Sequence, residues 1–161
     1  MARNDLMKGI PHSEIFEYWK DKAILENGEV VSIKEALQTG EKCIAVVEDW
    51  GEPSCWACGK PFVGDYEKNR GAEVDFSLLW NDRKVKSRLH KWHIVPLTKG
   101  GENIPRNMFL MCASCRDKAH STLDPRNFLK LVYEMRTTHS MGLLTDELNC
   151  LIQQEILEVD V

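Results

Sequence analysis

The stretch that decides the fold runs from residue 90 to residue 121 and reads HKWHIVPLTKGGENIPRNMFLMCASCRDKAHS. Its pattern predicts a strand that enters a turn at Gly100 and Gly101, followed by a second strand over Met108–Met111. Residues 113–121 have a composition compatible with a helix, on which Arg116 and His120 share one face because they are four residues apart. The stretch therefore predicts a strand–loop–strand–helix unit.

Four of the six cysteines form two C-x-x-C pairs, and the second pair lies inside this stretch. The four are Cys55, Cys58, Cys112 and Cys115. Two such pairs have the ligand spacing of a closed tetrahedral zinc site. Buried thiols or a thioredoxin-like redox pair are the alternatives, but no βαβ pattern surrounds either pair. The sequence therefore predicts a structural zinc ion, whereas Cys43 and Cys150 are expected to be core residues.

The charge of the chain is unevenly distributed. The 161 residues carry a net charge of −4, yet residues 81–118 hold nine basic and only three acidic side chains. Such a block is a candidate phosphate-binding patch. No apolar run approaches the roughly 20 residues that cross a bilayer, and the first residues lead into no signal-peptide apolar region. We therefore expect a soluble, cytoplasmic protein.

Residues 55–121 resemble the HNH endonuclease family, in the branch whose ββα core is braced by a four-cysteine zinc site. The resemblance rests on His93-Ile-Val-Pro, on Gly100-Gly101, on Asn107 fourteen residues after His93, and on Cys112 five residues after Asn107. It implies that His93 is the general base that activates water against a phosphodiester. It also implies that Asn107 holds the loop that orients His93, and that His120 is a ligand of a catalytic Mg, Mn or Zn ion.

The sequence departs from the family pattern at two positions. Trp92 stands where the family usually has a metal-ligating Asp or His, and its indole cannot ligate. Arg116 stands where His or Asn is usual, and its permanent charge repels a divalent ion. His90 is a second candidate ligand, although it lies three residues before His93 and a regular strand would point the two to opposite faces.

Three functions remain open for such a chain. The first is an HNH endonuclease that hydrolyses DNA, with the neighbouring basic residues holding the phosphate backbone. Those candidate backbone contacts are Arg88, Lys91, Lys99, Arg106, Arg116 and Lys118. The second is a degenerate HNH fold that binds nucleic acid or a protein partner without cleavage. The third is a zinc-stapled interaction module that binds a protein through its acidic N- or C-terminal regions.

The flanks complete an α+β prediction: a zinc-braced ββα-metal core with N-terminal α/β elements and C-terminal helices. Residues 1–50 are expected to form an extension with a helix over 13–24, a helix capped by Ser32 and Glu35, and a buried strand over 43–48. The core spans residues 51–121. Residues 122–161 are expected to add one helix after Asp124-Pro125 and another after Thr145. His12 and His139 are expected at the surface.

Overall fold

The computed structural model describes residues 9–47, 52–62, 79–120 and 124–138. In chain order its helices and strands are α1 (His12–Trp19), β1 (Lys22–Leu25), β2 (Val30–Ser32), α2 (Ile33–Thr39), β3 (Cys43–Ala45), α3 (Arg83–Arg88), β4 (His90–His93), β5 (Met108–Met111), α4 (Ala113–Ala119) and α5 (Pro125–Thr138). The described strands form a three-stranded sheet in the order β2-β1-β3 and a two-stranded sheet of β4 and β5. The predicted α+β class is confirmed.

The first helix is shorter than predicted. It ends at Trp19, and residues 22–25 form β1, which pairs antiparallel with both β2 and β3. A turn at Asn27 and Gly28 connects β1 to β2, and the positive φ of Gly28, +86°, suits a residue without a Cβ. Ile24 is fully buried at the centre of this sheet. Residues 22–25 therefore form a strand because β1 pairs with β2 on one side and with β3 on the other. The helical spacing of apolar residues cannot reveal this pairing.

The predicted helix cap at Ser32 and the predicted buried strand are confirmed, although the strand is shorter than predicted. The hydroxyl oxygen of Ser32 accepts the backbone N–H of Glu35 at 3.1 Å, so the predicted helix cap forms. The helix ends at Gly40, which adopts a left-handed conformation. The strand predicted over 43–48 covers Cys43–Ala45, and Cys43 is buried as expected.

The predicted strand–loop–strand–helix unit is present. β4 and β5 pair antiparallel, with His90 opposite Met111 and His93 opposite Met108. The helix that follows, α4, covers Ala113–Ala119 and ends next to His120. A β-hairpin followed by a helix is the ββα arrangement that the sequence indicated.

Aromatic side chains join the N-terminal helix and α5 to the hairpin. Trp19 on α1 donates its indole N–H to the backbone oxygen of Met108 at 2.7 Å and packs edge-on against Phe109. From α5, Phe128 packs against the same Phe109 ring, with the ring centres 5.4 Å apart. These contacts hold the hairpin between the two flanking helices and contribute to a shared hydrophobic core.

The predicted start of α5 is confirmed, because the carboxylate of Asp124 accepts the N–H of Arg126 at 2.9 Å. On this helix Leu129 is buried in the core, whereas Leu131 is partly exposed. The expected helix after Thr145, together with Cys150 and His139, lies outside the described residues. The division into residues 1–50, 51–121 and 122–161 stays a prediction.

Candidate active site and metal centre

The two C-x-x-C pairs, which we call the first and second knuckle, bring four cysteines into a cluster that could hold a metal ion. The sulfur atoms of Cys55, Cys58, Cys112 and Cys115 all lie within 4.8 Å of one another, and those of Cys58 and Cys112 are 4.0 Å apart. A tetrahedral site with zinc–sulfur bonds of about 2.3 Å has sulfur–sulfur separations of about 3.8 Å. The cluster therefore has nearly the dimensions of a closed, four-cysteine zinc site.

Backbone hydrogen bonds bring the two knuckles together. Gly59, with a φ of +75°, allows the tight turn in which its N–H donates to the oxygen of Cys55 at 2.8 Å. The N–H of Trp56 donates to the oxygen of Leu110 on β5 at 3.1 Å, and the N–H of Cys112 donates to the sulfur of Cys55 at 3.3 Å. The first knuckle is thus attached to the hairpin strand from which the second knuckle leads.

Hydrogen bonding within the cluster shifts the pKa values of Cys58 and Cys115 in opposite directions. Hydrogen bonds from Cys115 and Cys55 lower the pKa of Cys58 to about 2. The complementary hydrogen bonds with Cys55 and Cys58 raise the pKa of Cys115. Negative charge on one sulfur therefore opposes ionisation of its neighbour, and four thiolates at this spacing need a cation to offset their repulsion.

His93, the expected general base, ends β4 and is largely buried, with 8% of its surface exposed. Its ring atom Nε2 lies 3.1 Å from the amide oxygen of Asn103. An amide oxygen only accepts hydrogen bonds, so Nε2 carries the proton in this arrangement and Nδ1 keeps its lone pair. Asn103 was not anticipated from the sequence. The available signal was an amide side chain in the loop between the predicted strands.

Asn107 connects the two ends of the loop between β4 and β5. Its amide oxygen accepts the N–H of Val95 at 2.8 Å, while its amide nitrogen donates to the oxygen of Val95 at 3.0 Å and to that of Glu102 at 2.8 Å. The side chain is buried, with 8% of the residue exposed. It therefore fixes the backbone two residues beyond His93.

The paired glycines allow the loop to close on itself. Gly100 has a φ of +85°, and the N–H of Gly101 donates to the oxygen of Pro96 at 3.0 Å. A Cβ atom on Gly101 would lie 1.9 Å from the oxygen of Val95 and 3.0 Å from the amide nitrogen of Asn107. Only glycine fits at position 101 without displacing this part of the loop.

The remaining candidate ligands lie where β4 faces α4. His90 and Trp92 share the face of β4 opposite to His93, because side chains alternate along a strand. The rings of Trp92 and His120 are in edge-to-face contact, with centres 4.8 Å apart. Burial, followed by the nearby positive charge of Arg116, lowers the pKa of His90. The structure thus brings His90 and His120 to one side of β4, together with the two residues that depart from the family pattern.

Outside the cysteine cluster, the residues that the structure describes contain no second group of three or more His, Cys, Asp or Glu side chains spaced to hold a metal ion. His90, His93 and His120 therefore belong to no such group.

The six candidate backbone-contacting residues have different surroundings. Three of them are exposed, namely Arg88, Lys99 and Lys118. Arg106 is also exposed and pairs with Glu102 at 3.1 Å. Lys91 is partly buried, and its ammonium group donates to the backbone oxygen of Ile10. The side chain of Lys91 therefore ties the N-terminal segment to β4, a role that the sequence did not indicate.

The expectation that His12 lies at the surface is wrong. The residue is 5% exposed, and its Nε2 atom lies 2.8 Å from the backbone oxygen of Leu89. A carbonyl oxygen accepts only, so Nε2 is the protonated atom, and the buried Nδ1 has no hydrogen-bond partner. The ring fills the junction between α1 and the end of α3, a long-range contact that no local pattern reports.

One part of the chain matches a known protein family. Residues 79–122, which include β4, β5 and α4, match the family model described as HNH endonuclease. No curated protein matched the chain, and neither did any solved structure. Among the described helices, none has the length and apolar character that crossing a membrane requires.

Proposed function

We propose, because residues 79–122 match the HNH endonuclease family model, that the protein is an endonuclease that hydrolyses phosphodiester bonds in DNA with His93 as general base. The observation that supports this most directly is the hydrogen bond between His93 Nε2 and the oxygen of Asn103. It assigns the proton to Nε2 and leaves Nδ1 as the atom that accepts a proton from water. Histidine is the side chain that most often serves as a general base in enzymes.

In this mechanism His93 removes a proton from the water that attacks phosphorus, and the 3′ oxygen leaves on the opposite side. The hydrogen bonds of Asn107 to Val95 and Glu102 hold the loop beyond β4, so that the imidazole keeps one orientation. Asn107 is therefore a positioning residue. Exposed basic side chains around the domain hold the DNA backbone without reading bases.

A catalytic divalent ion, held by His120 and His90, is the predicted source of positive charge at the phosphate. Such an ion would neutralise charge that develops on the phosphate and the leaving oxygen. The residues present fit it poorly, because Trp92, in contact with His120, offers only an N–H group, and Arg116 carries a permanent positive charge near His90. We therefore assign no step of the reaction to this ion.

The metal of the four-cysteine cluster is, in this proposal, a structural zinc ion. The sulfur spacing and the closed set of four cysteines support zinc over a catalytic metal, which needs an open position for water or substrate. Its role is to attach the first knuckle to the junction of β5 and α4.

A plasmid-nicking assay tests the proposed reaction, with Mg, Mn, Ni or no added divalent metal. In the His93→Gln variant the amide can still donate toward Asn103, but the basic nitrogen is lost. We expect its nicking rate to fall by about 10²- to 10⁴-fold, the usual contribution of a general base. Thr98→Ala, which changes an exposed residue of the same loop, is the control and should nick at the wild-type rate. Equal nicking by His93→Gln and wild type would refute the assignment.

A second candidate function is nucleic-acid binding without cleavage. The specific observation in its favour is the contact of Trp92 with His120, together with Arg116 at the position of a usual metal ligand. This function predicts DNA binding that weakens steeply with salt and no nicking under any metal condition.

A further inference from the structure

Two pairs of side chains lie close together where β4 packs against α4. His90 and Trp92 lie on one face of the strand, and Arg116 and His120, four residues apart, lie on one face of the helix. Trp92 contacts His120 at 4.8 Å between ring centres, and His90 lies within electrostatic reach of Arg116. We call these four residues the β4–α4 groove.

The chemistry of the groove suits an anion better than a metal ion. The guanidinium of Arg116 cannot lose its proton and presents several N–H donors in one plane, the geometry that matches two oxygens of a phosphate. The indole of Trp92 also donates and cannot ligate. The ring of His90 can supply a further donor. Each of these groups favours a phosphate oxygen, and two of them disfavour a dication.

The guanidinium is accessible and only weakly paired. The side chain of Arg116 is 36% exposed, and the carboxylate oxygen of Asp117 lies 3.9 Å from it. The side chain of Asp117 is itself 72% exposed. Such an exposed ion pair contributes little because solvent screens it. A phosphate that forms two parallel hydrogen bonds can therefore replace this carboxylate at Arg116.

We infer that the β4–α4 groove binds a backbone phosphate of DNA through Arg116, at the place where a divalent metal ion was expected. The inference rests on the proposed function to the extent that DNA is the partner. Its consequence is that Arg116 supplies the positive charge at this phosphate, so DNA binding needs no divalent metal beyond the ion in the four-cysteine cluster.

The test measures binding of a fluorescein-labelled DNA duplex by fluorescence anisotropy, without added divalent metal, over a series of salt concentrations. The protein is the full chain carrying His93→Gln, so that cleavage does not interfere, and metal analysis verifies that it retains its zinc. Arg116→Gln is expected to make the negative slope of log K against log salt shallower by about 0.9, the contribution of one phosphate contact. Between about 50 and 200 mM salt, the affinity of Arg116→Gln should therefore fall about 3.5-fold less than that of the parent protein.

Two further variants make the result specific. Arg126→Gln removes an exposed arginine on α5, outside the HNH domain, and should leave the slope unchanged. Arg116→Lys keeps the charge without the planar pair of donors, so it should keep the slope but bind more weakly.

Several outcomes would overturn the inference. An unchanged slope in Arg116→Gln would do so, as would DNA binding that appears only after Mg or Mn is added, or no binding at all. The nicking assay separates these failures from a failure of the proposed function. Nicking that depends on His93 but not on Arg116 leaves the endonuclease assignment intact and removes only the phosphate site. Binding that depends on Arg116 without nicking retains the phosphate site and rejects hydrolysis.

Discussion

Truncation of Asn107 should destabilise the protein far more than truncation of an exposed asparagine. Asn107 makes three hydrogen bonds to the backbone of Val95 and Glu102 while almost fully buried. A hydrogen bond contributes about 1 kcal/mol net, so Asn107→Ala should lower the free energy of unfolding by about 3 kcal/mol. The backbone groups left without partners add to this cost wherever water cannot reach them.

Urea denaturation of the zinc-loaded protein, followed by tryptophan fluorescence, measures this loss. The control is Asn127→Ala, which truncates an exposed side chain on α5 and should change the free energy of unfolding by less than about 0.5 kcal/mol. If Asn107→Ala cost no more than the control, its hydrogen bonds would not stabilise the loop. Its assignment as a positioning residue for His93 would then fail as well.

Three other perturbations address the loop, the metal cluster and a buried histidine. In thermal melts, Gly101→Ala should lower the melting temperature of the protein more than Gly100→Ala does. The Cβ at position 101 would lie 1.9 Å from a carbonyl oxygen, whereas position 100 has open space and incurs only the left-handed backbone cost of about 1–2 kcal/mol. Equal melting temperatures would contradict this. The double variant Cys55→Ser, Cys112→Ser should lose its zinc and its cooperative unfolding, since structural zinc can supply about 10–16 kcal/mol; retention of both would exclude the four-cysteine site. Burial lowers the pKa of His12, so the unfolded chain binds more protons, and stability should fall as pH drops below about 6.5. The loss should be smaller in His12→Gln, as equilibrium unfolding at several pH values would show.

Local signals in the sequence account for the parts of the structure that were predicted correctly. The two C-x-x-C pairs indicated the metal cluster, and the spacing from the Gly-Gly turn to Met108 indicated the hairpin. The cap at Ser32 needed only the hydroxyl and an N–H three residues later. Each of these features depends on residues close together in sequence, or on ligand spacing that one ion imposes.

The predictions that failed depended on contacts between distant residues. Residues 22–24 were predicted as the end of a helix, but pairing with β2 and β3 makes Lys22–Leu25 a strand. The Asn27-Gly28 pair is a typical hairpin turn and could have indicated this. His12 is buried, and its ring is hydrogen-bonded to the backbone oxygen of Leu89, which lies 77 residues further along the chain. Nothing near His12 in the sequence reports that partner.

The residues that form the ββα frame are largely separate from those that give its groove a charge. Asn107, Gly101 and the cysteines connect backbone segments, whereas Trp92 and Arg116 lie between β4 and α4. The groove can therefore change its ligand preference while the hairpin and helix stay in place. The match of residues 79–122 to the HNH family accordingly describes the frame, and under the inference above residues 92 and 116 decide whether the groove binds a cation or an anion.

This separation predicts that the double variant Trp92→Asp, Arg116→Asn gains a site for Mn²⁺. The carboxylate and the amide oxygen would join His120 as ligands suited to a divalent ion, and the repelling guanidinium would be gone. The matched control, Trp92→Ala with Arg116→Asn, loses the same ring contact with His120 and the same charge but offers no carboxylate. Isothermal titration calorimetry with Mn²⁺ should detect binding by the first variant alone. Equal binding by both variants, or by neither, would show that residues 92 and 116 do not set the preference of the groove.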